Sequence, residues 1–216
     1  MEETRKDERY VYIHDNSMKK VMTFLRIPKN ASTSIYSFFG ASNTIRNEYL
    51  DANNDKYLSV FEPSHCTLQE AKGLLGDCVA LLPLLAVVRN PFDRMVSMFF
   101  FAKKYNLGSL YDISLDSFDE FVEGFYKASD DPNFFHAKTQ CDYMKGSDNV
   151  TVCRFENLKD DITKFIRDNG LSFSIGDLQK LNSTEHSDYK SYYTDKSKGI
   201  VMDMWKDDLT RFSYSF

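Results

Sequence analysis

The residues of this chain whose types and spacing could do chemistry fall in two short segments. The first is Pro28-Lys29-Asn30-Ala31-Ser32-Thr33-Ser34. It lies between an apolar run, VMTFLRI, and a short helical pattern, so several backbone N–H groups and a helix start meet at one point. Geometry and dipole make such a point an anion site. Lys29 adds a point charge, and Ser32, Thr33 and Ser34 add hydroxyl donors. The nucleoside-triphosphate pattern G-x-x-x-x-G-K-[ST] is absent, and the lysine opens the loop instead. By residue type alone, a serine-rich helix cap beside an exposed lysine reads the same. The second segment runs from Arg89 to Ser97. Arg89 follows the most apolar run of the chain, at the C-terminal tip of a strand, where open α/β sheets bind ligands. Ser97 lies eight residues on, about two turns into the next helix. An arginine and a hydroxyl so placed can pin a phosphate. Asp93 and Arg94 can pair with the helix start, so a helix-capping salt bridge is the structural alternative.

A base is also available. Neutral histidine suits proton abstraction near pH 7, and by residue type alone His65 could supply it. A lone histidine at a strand end is otherwise a structural residue. His136 is a weaker rival, and His14 and His186 have no supporting context. No cluster of metal-ligand spacing is evident, so no metal is called for.

These residues need elements to hold them. RYVYIH and VMTFLRI, around Asp15-Asn16-Ser17, read as a hairpin or two neighbouring strands, and Pro28 stops the pairing. Ser34 to Phe39, closed by Gly40, reads as a short helix, and Lys56 to Phe61 as a strand. Thr67-x-x-Glu70 is a capping-box pattern that opens a helix to Leu75, ended by Gly76. The continuous apolar run Leu81–Val88 suits a central parallel strand buried on both faces. Pro91 starts a long helix to Tyr105. Ser117-x-x-Glu120 caps a helix to about Ala128. Val150–Phe155 reads as a strand, Leu158–Asp168 as a helix closed by Gly170, and Met202–Phe212 as a C-terminal amphipathic helix. Residues 170–200 read as loop-rich. Strands alternate with helices, so the fold class is α/β: a single domain with a small, mostly parallel central sheet flanked by helices.

With 216 residues the chain has length for a core without staples. Its 27 basic and 32 acidic side chains give a net charge of −5, which excludes a broad basic coat for a nucleic-acid polymer. A local pocket for one small anion is still allowed. Cys66, Cys78, Cys141 and Cys153 form no CxxC pair and read as buried thiols. The N-terminus MEETRKDERY lacks an apolar signal core. The best apolar run, Val79–Val88, is too short to span a bilayer and contains Pro83. The expectation is a cytoplasmic protein with no membrane anchor. Three N-x-S/T triplets, at Asn30, Asn149 and Asn182, read as chance.

Taken together the two segments are more specific than either alone. IPKNASTSI, followed by VVRNPFDRMVSMFF, resembles the 5′- and 3′-phosphate motifs of sulfotransferases. The wording is similar to the carbohydrate branch related to heparan 2-O-sulfotransferase, with its bacterial and viral relatives. Looser pieces follow in order: Pro63-Ser64-His65-Cys66, Thr139-Gln140-Cys141-Asp142-Tyr143, Arg154-Phe155-Glu156-Asn157-Leu158 and Asp208-Leu209-Thr210-Arg211-Phe212-Ser213-Tyr214. The resemblance implies a P-loop-like sulfotransferase fold and the donor 3′-phosphoadenosine 5′-phosphosulfate (PAPS), with no metal. It implies Lys29 on the 5′-phosphosulfate and bridging oxygen, with Asn30, Ala31, Ser32, Thr33 and Ser34 around that group. It implies Arg89 and Ser97 on the 3′-phosphate, and His65 as base, with Glu62 the alternative. Asn30 stands where the family usually has Thr or Ser. Phe92, Tyr143 and Phe155 are candidates for stacking on adenine, and Gln140 and Tyr143 for facing the acceptor, with core packing or a cap as their alternative.

On this resemblance residues 1–216 form one sulfotransferase domain: a donor-binding core over 21–105, a helical insertion over 106–148, and C-terminal strand, helices and loops over 149–216. The expected activity is sulfuryl transfer from PAPS to an acceptor hydroxyl on a small molecule or glycan, with a carbohydrate favoured. The acidic net charge favours a neutral or lightly charged acceptor. The alternatives are a nucleotide or small-molecule kinase of related fold, or a non-catalytic nucleotide- or glycan-binding module. Acceptor specificity is assigned to residues 40–60, 106–148 and 170–200.

Overall fold

Leu84–Val88 (β3) is buried at every position, because it pairs on both edges and packs on both faces. In the computed structural model it stands third in a four-stranded sheet of order β1-β2-β3-β4. The others are β1 (Tyr12–His14), β2 (Lys20–Leu25) and β4 (Val150–Arg154). β1 and β2 are antiparallel, as a hairpin reading requires, and β3 runs parallel to both β2 and β4. The class is therefore α/β with a small, mostly parallel sheet. The structure describes residues 12–14, 20–39, 65–108, 112–131, 133–173 and 187–216. The expected strand Lys56–Phe61, Glu62, Gly40, the turn Asp15–Ser17, Asn182 and His186 lie outside the described residues. So do the proposed specificity segment 40–60 and residues 174–186.

The chain packs as two units. The first comprises residues 1–88 and 143–182. Its core sets Met22 and Phe24 of β2, Leu85 and Val87 of β3, and Cys153 of β4 against two helices. Alternate residues share a face, which is the period of a strand. The helices are α1 (Ser32–Phe38), with Ile35 and following Phe39 inward, and α6 (Leu158–Asp168), with Ile162, Phe165 and Ile166 inward. Between β2 and β3 lies α2 (Leu68–Leu75). Thr67 accepts from the Glu70 N–H and Glu70 takes the Thr67 N–H, the full capping box the sequence spells, and Gly76 at φ 79° closes the helix. β3 starts three residues later than the apolar run. Asp77–Ala80 winds into a 3-10 turn, Leu81 is 82% exposed, and Pro83 has no N–H to give the ladder, although its carbonyl accepts from Thr23. The buried Thr23 hydroxyl donates to the Val79 carbonyl, which removes the cost of burying it.

The second unit comprises residues 89–142 and 183–216. Its spine is α3 (Pro91–Tyr105), capped by the Asn90 side chain, with Pro91 at the position where a missing N–H is harmless. Phe92, Met95, Val96, Phe99 and Ala102 face α4 (Phe118–Ala128) through Phe118, Phe121, Val122 and Phe125, which recur at helical spacing. Ser117 caps α4 as expected, but the Glu120 carboxylate is taken by the Ser114 hydroxyl. The short helix α5 (Gln140–Met144) follows. The C-terminal helix differs from the single span Met202–Phe212. It is two helices, α7 (Asp195–Met204) and α8 (Lys206–Arg211), broken at Trp205. Trp205 is fully buried and its indole N–H donates to the Ala137 carbonyl, so its backbone leaves the helical region to seat the ring. α7 also begins before residue 200, inside the stretch read as loop. Thr194 and Ser197 cap it reciprocally, a box written with serine where the usual pattern has Glu or Gln.

Candidate functional site

The loop between β2 and α1 is bent more sharply than its sequence, which has no glycine, announces. Lys29 and Ala31 have φ of 66° and 56°, while Asn30 between them stays on the ordinary side. Residues whose φ alternates in sign turn their N–H groups to one side and form a concavity for an anion. Left-handed geometry at two residues with a Cβ costs roughly 1–3 kcal/mol each, so the surrounding structure must hold it. Asn30 is one such holder. It is 1% exposed, and its side-chain N–H donates to the Val87 carbonyl at 2.8 Å, tying the loop to the end of β3. Ser32 and Ser34 are buried, Thr33 is exposed, and Lys29 is half-buried. The buried Asn30 side chain has no room for a glycan, so that triplet is not a modification site.

His65 lies after the segment containing Glu62 and is half-buried. Its Nδ1 is 2.6 Å from the Arg26 carbonyl oxygen. A carbonyl only accepts, so Nδ1 carries the proton and the neutral ring keeps its lone pair on Nε2. The bond therefore selects the tautomer that a base with Nε2 toward its target needs. Arg26 itself follows β2 directly, so the imidazole is hung from the same strand end that opens the loop.

In the second unit Arg89 is 7% exposed. Its Nε donates to Asp93 Oδ2 at 2.6 Å, an i,i+4 ion pair across the start of α3. The capping pair foreseen for Asp93 thus uses Arg89. Arg94 instead is fully buried, donates to the carbonyls of His136 and Lys138, and lies over the Trp205 ring at 4.5 Å. The Arg89 main chain is held as well. Its N–H donates to Gln140 Oε1 at 2.8 Å and its carbonyl accepts from Gln140 Nε2 at 2.9 Å. Both Asp208 oxygens accept from the α5 start, at the N–H groups of Gln140 and Cys141. Ser97, two turns into α3, is 3% exposed.

Among the described residues, no group of three or more His, Cys, Asp or Glu could hold a metal ion, and no helix is long and apolar enough to cross a membrane. The family model described as the sulfotransferase family matches residues 15–215. The chain belongs to the sulfotransferase family. Among curated proteins and solved structures nothing matches it.

Several sulfotransferase assignments change with the geometry. Gln140 is fully buried and bonded to the Arg89 main chain, so it does not face an acceptor. Tyr143 is fully buried too, and Phe92 is 1% exposed with its ring edge-on to Tyr193 and Phe216. Neither offers a ring face to adenine, whereas Phe155 is half-buried at the rim of the first core. The clamp on Arg89 was not read from sequence. Its traces there are the pieces containing Gln140 and Asp208, which carry no local reason to meet.

The thiols also sort themselves. Cys141 and Cys153 are buried, but Cys66 is half-buried and Cys78 exposed. Burial, with the Asp208 charge second, pushes the Cys141 thiol from 9.0 up to about 12. Burial, with Asp161 second, pushes Cys153 equally far. At pH 8 both stay protonated and buried, so neither is a nucleophile. Iodoacetamide at pH 8 labels Cys78 rapidly and spares Cys141 and Cys153, as followed by mass spectrometry. Labelling of all three at one rate would contradict the burial. Above about pH 9 the unfolded thiols lose protons that the folded ones keep, so their contribution to stability is full below that pH and is lost between about 9 and 12.

Proposed function

We propose that this sulfotransferase moves a sulfuryl group from PAPS to a hydroxyl of a carbohydrate acceptor. The observation that carries the reading is the alternation of φ through Lys29, Asn30 and Ala31, which turns successive main-chain N–H groups to one side in a loop that carries a lysine. An anion of phosphate or sulfate size suits that cradle, and a buried arginine at the end of the central strand suits a second one. When bound, PAPS supplies the sulfuryl group and a phosphate leaving group. The loop N–H donors and the hydroxyls of Ser32 and Ser34 receive its 5′ end. Arg89 and Ser97 receive its 3′-phosphate. Asp93 holds the Nε edge of Arg89 and so orients its guanidinium.

The protein's own groups do the rest. Lys29 neutralises charge that builds on the bridging oxygen as its bond to sulfur breaks. His65 takes the acceptor's proton at Nε2 while the acceptor oxygen bonds to sulfur, and Nδ1–H stays on the Arg26 carbonyl. In-line geometry and charge spread over the equatorial oxygens are the demands of phosphoryl transfer as well. The net charge of −5 disfavours a densely sulfated polyanion and favours a neutral or lightly charged glycan.

The product nucleotide, 3′-phosphoadenosine 5′-phosphate (PAP), raises the melting temperature on this reading by the mass action of a ligand that binds only the folded state. A shift with ATP and magnesium but none with PAP would replace this reading with a kinase. Labelled-sulfate transfer from PAPS across glycans, phenols, lipids and peptides then identifies the acceptor class.

A further inference from the structure

We infer that Gln140, anchored by Asp208, is a positioning residue for the 3′-phosphate contact of Arg89, an inference that rests on the donor reading above. β3 pairs with β4 as far as Val88 opposite Arg154, so the next residue, Arg89, lies past the end of that ladder. The primary amide of Gln140 bonds both its N–H and its carbonyl, at 2.8 and 2.9 Å, as a neighbouring strand would. Gln140 is fully buried, so water does not compete for these bonds.

A long flexible side chain clamps nothing unless its own base is fixed. Asp208, fully buried in α8, does that by accepting the Gln140 N–H at 2.8 Å and the Cys141 N–H at 2.9 Å. Residues 68 and 51 positions apart thus form one chain: Asp208 to the α5 start, the Gln140 amide to the Arg89 main chain. Asp93 then sets the direction of the guanidinium from its Nε side. A phosphate reads an arginine by fixed fork geometry, so freedom at its Cα is lost affinity. Neither Gln140 nor Asp208 touches the ligand in this scheme. Their effect passes through Arg89 and is confined to the 3′-phosphate.

That confinement separates positioning from general support. The ligands are PAP and adenosine 5′-phosphate, which differ only in the 3′-phosphate, and the quantity is the ratio of their affinities by calorimetry. Gln140→Glu keeps the shape but sets a carboxylate against the Arg89 carbonyl. Asp208→Asn keeps the shape but turns one acceptor into a donor facing an N–H. Each lowers the PAP preference about 10-fold or more, with adenosine 5′-phosphate binding within about twofold of wild type. In turnover assays the KM for PAPS rises more than kcat falls. Equal loss for both nucleotides, or an unchanged ratio in folded protein, overturns the inference. If neither variant folds, the network is a folding determinant and the inference is again overturned. A wild-type protein with no preference for PAP instead refutes the donor reading, and an Arg89→Ala variant that retains the preference refutes the Arg89 contact on which this inference stands.

Discussion

Arg89→Ala weakens PAP binding by about 2–4 kcal/mol, roughly 30- to 1,000-fold, the range for removing one member of a desolvated charge-paired contact. The size follows from burial. At 7% exposure, water cannot replace the guanidinium, and an anion docked there would be left with its charge uncompensated. The variant also leaves Asp93 without the 2.6 Å pair, so the ligand-independent melting temperature falls as well. Binding must therefore be read by titration on folded protein. Arg89→Lys separates charge from shape: it keeps the cation but loses the fork, and falls between the two. Unchanged PAP affinity in Arg89→Ala would show that the pair with Asp93 is the whole role of this arginine.

His65→Ala lowers turnover about 100-fold or more while PAP affinity stays near wild type, the pattern of a general base that does not hold the donor. The contact with the Arg26 carbonyl makes the comparison sharper. His65→Asn can imitate the Nδ1–H donor but offers no basic nitrogen, so it keeps the tether and loses the rate. If the tether were the role of this residue, His65→Asn would restore activity. Near-wild-type turnover in His65→Ala would pass the base to Glu62.

Much of the scaffold was written locally. Thr67 and Glu70 form the box their spacing spells, Asn90-Pro91 starts α3, and Leu158–Asp168 is the helix its pattern describes. The continuous apolar run did mark the central strand, because burial on both faces leaves no alternation to read. The errors came where a distant partner overrules the local pattern. Helical periodicity runs through Trp205, but its indole bonds to Ala137, 68 residues away, and breaks the helix there. For Gln140 residue type leaves an acceptor contact and a buried packing or capping role equally open, and only the fold shows that it completes the main chain of a residue 51 positions earlier.

Residue order along the chain already holds the chemical inventory: a lysine and hydroxyl loop after one strand, a histidine, then an arginine at the tip of the next strand and a serine two turns on. Residue type and spacing along one strand or helix are local properties, and elementary geometry converts them into position. Three other features exist only in the folded chain, and packing decided each. It decided that Lys29 and Ala31 adopt positive φ with no glycine to favour it, because Asn30 ties the loop to β3. It decided which imidazole nitrogen bears the proton, because the Arg26 carbonyl lies 2.6 Å from Nδ1. It decided that Arg89 is clamped from Gln140 and Asp208. Each depends on a hydrogen bond between residues 39 to 68 positions apart, and such a bond forms only once the core has brought its ends together.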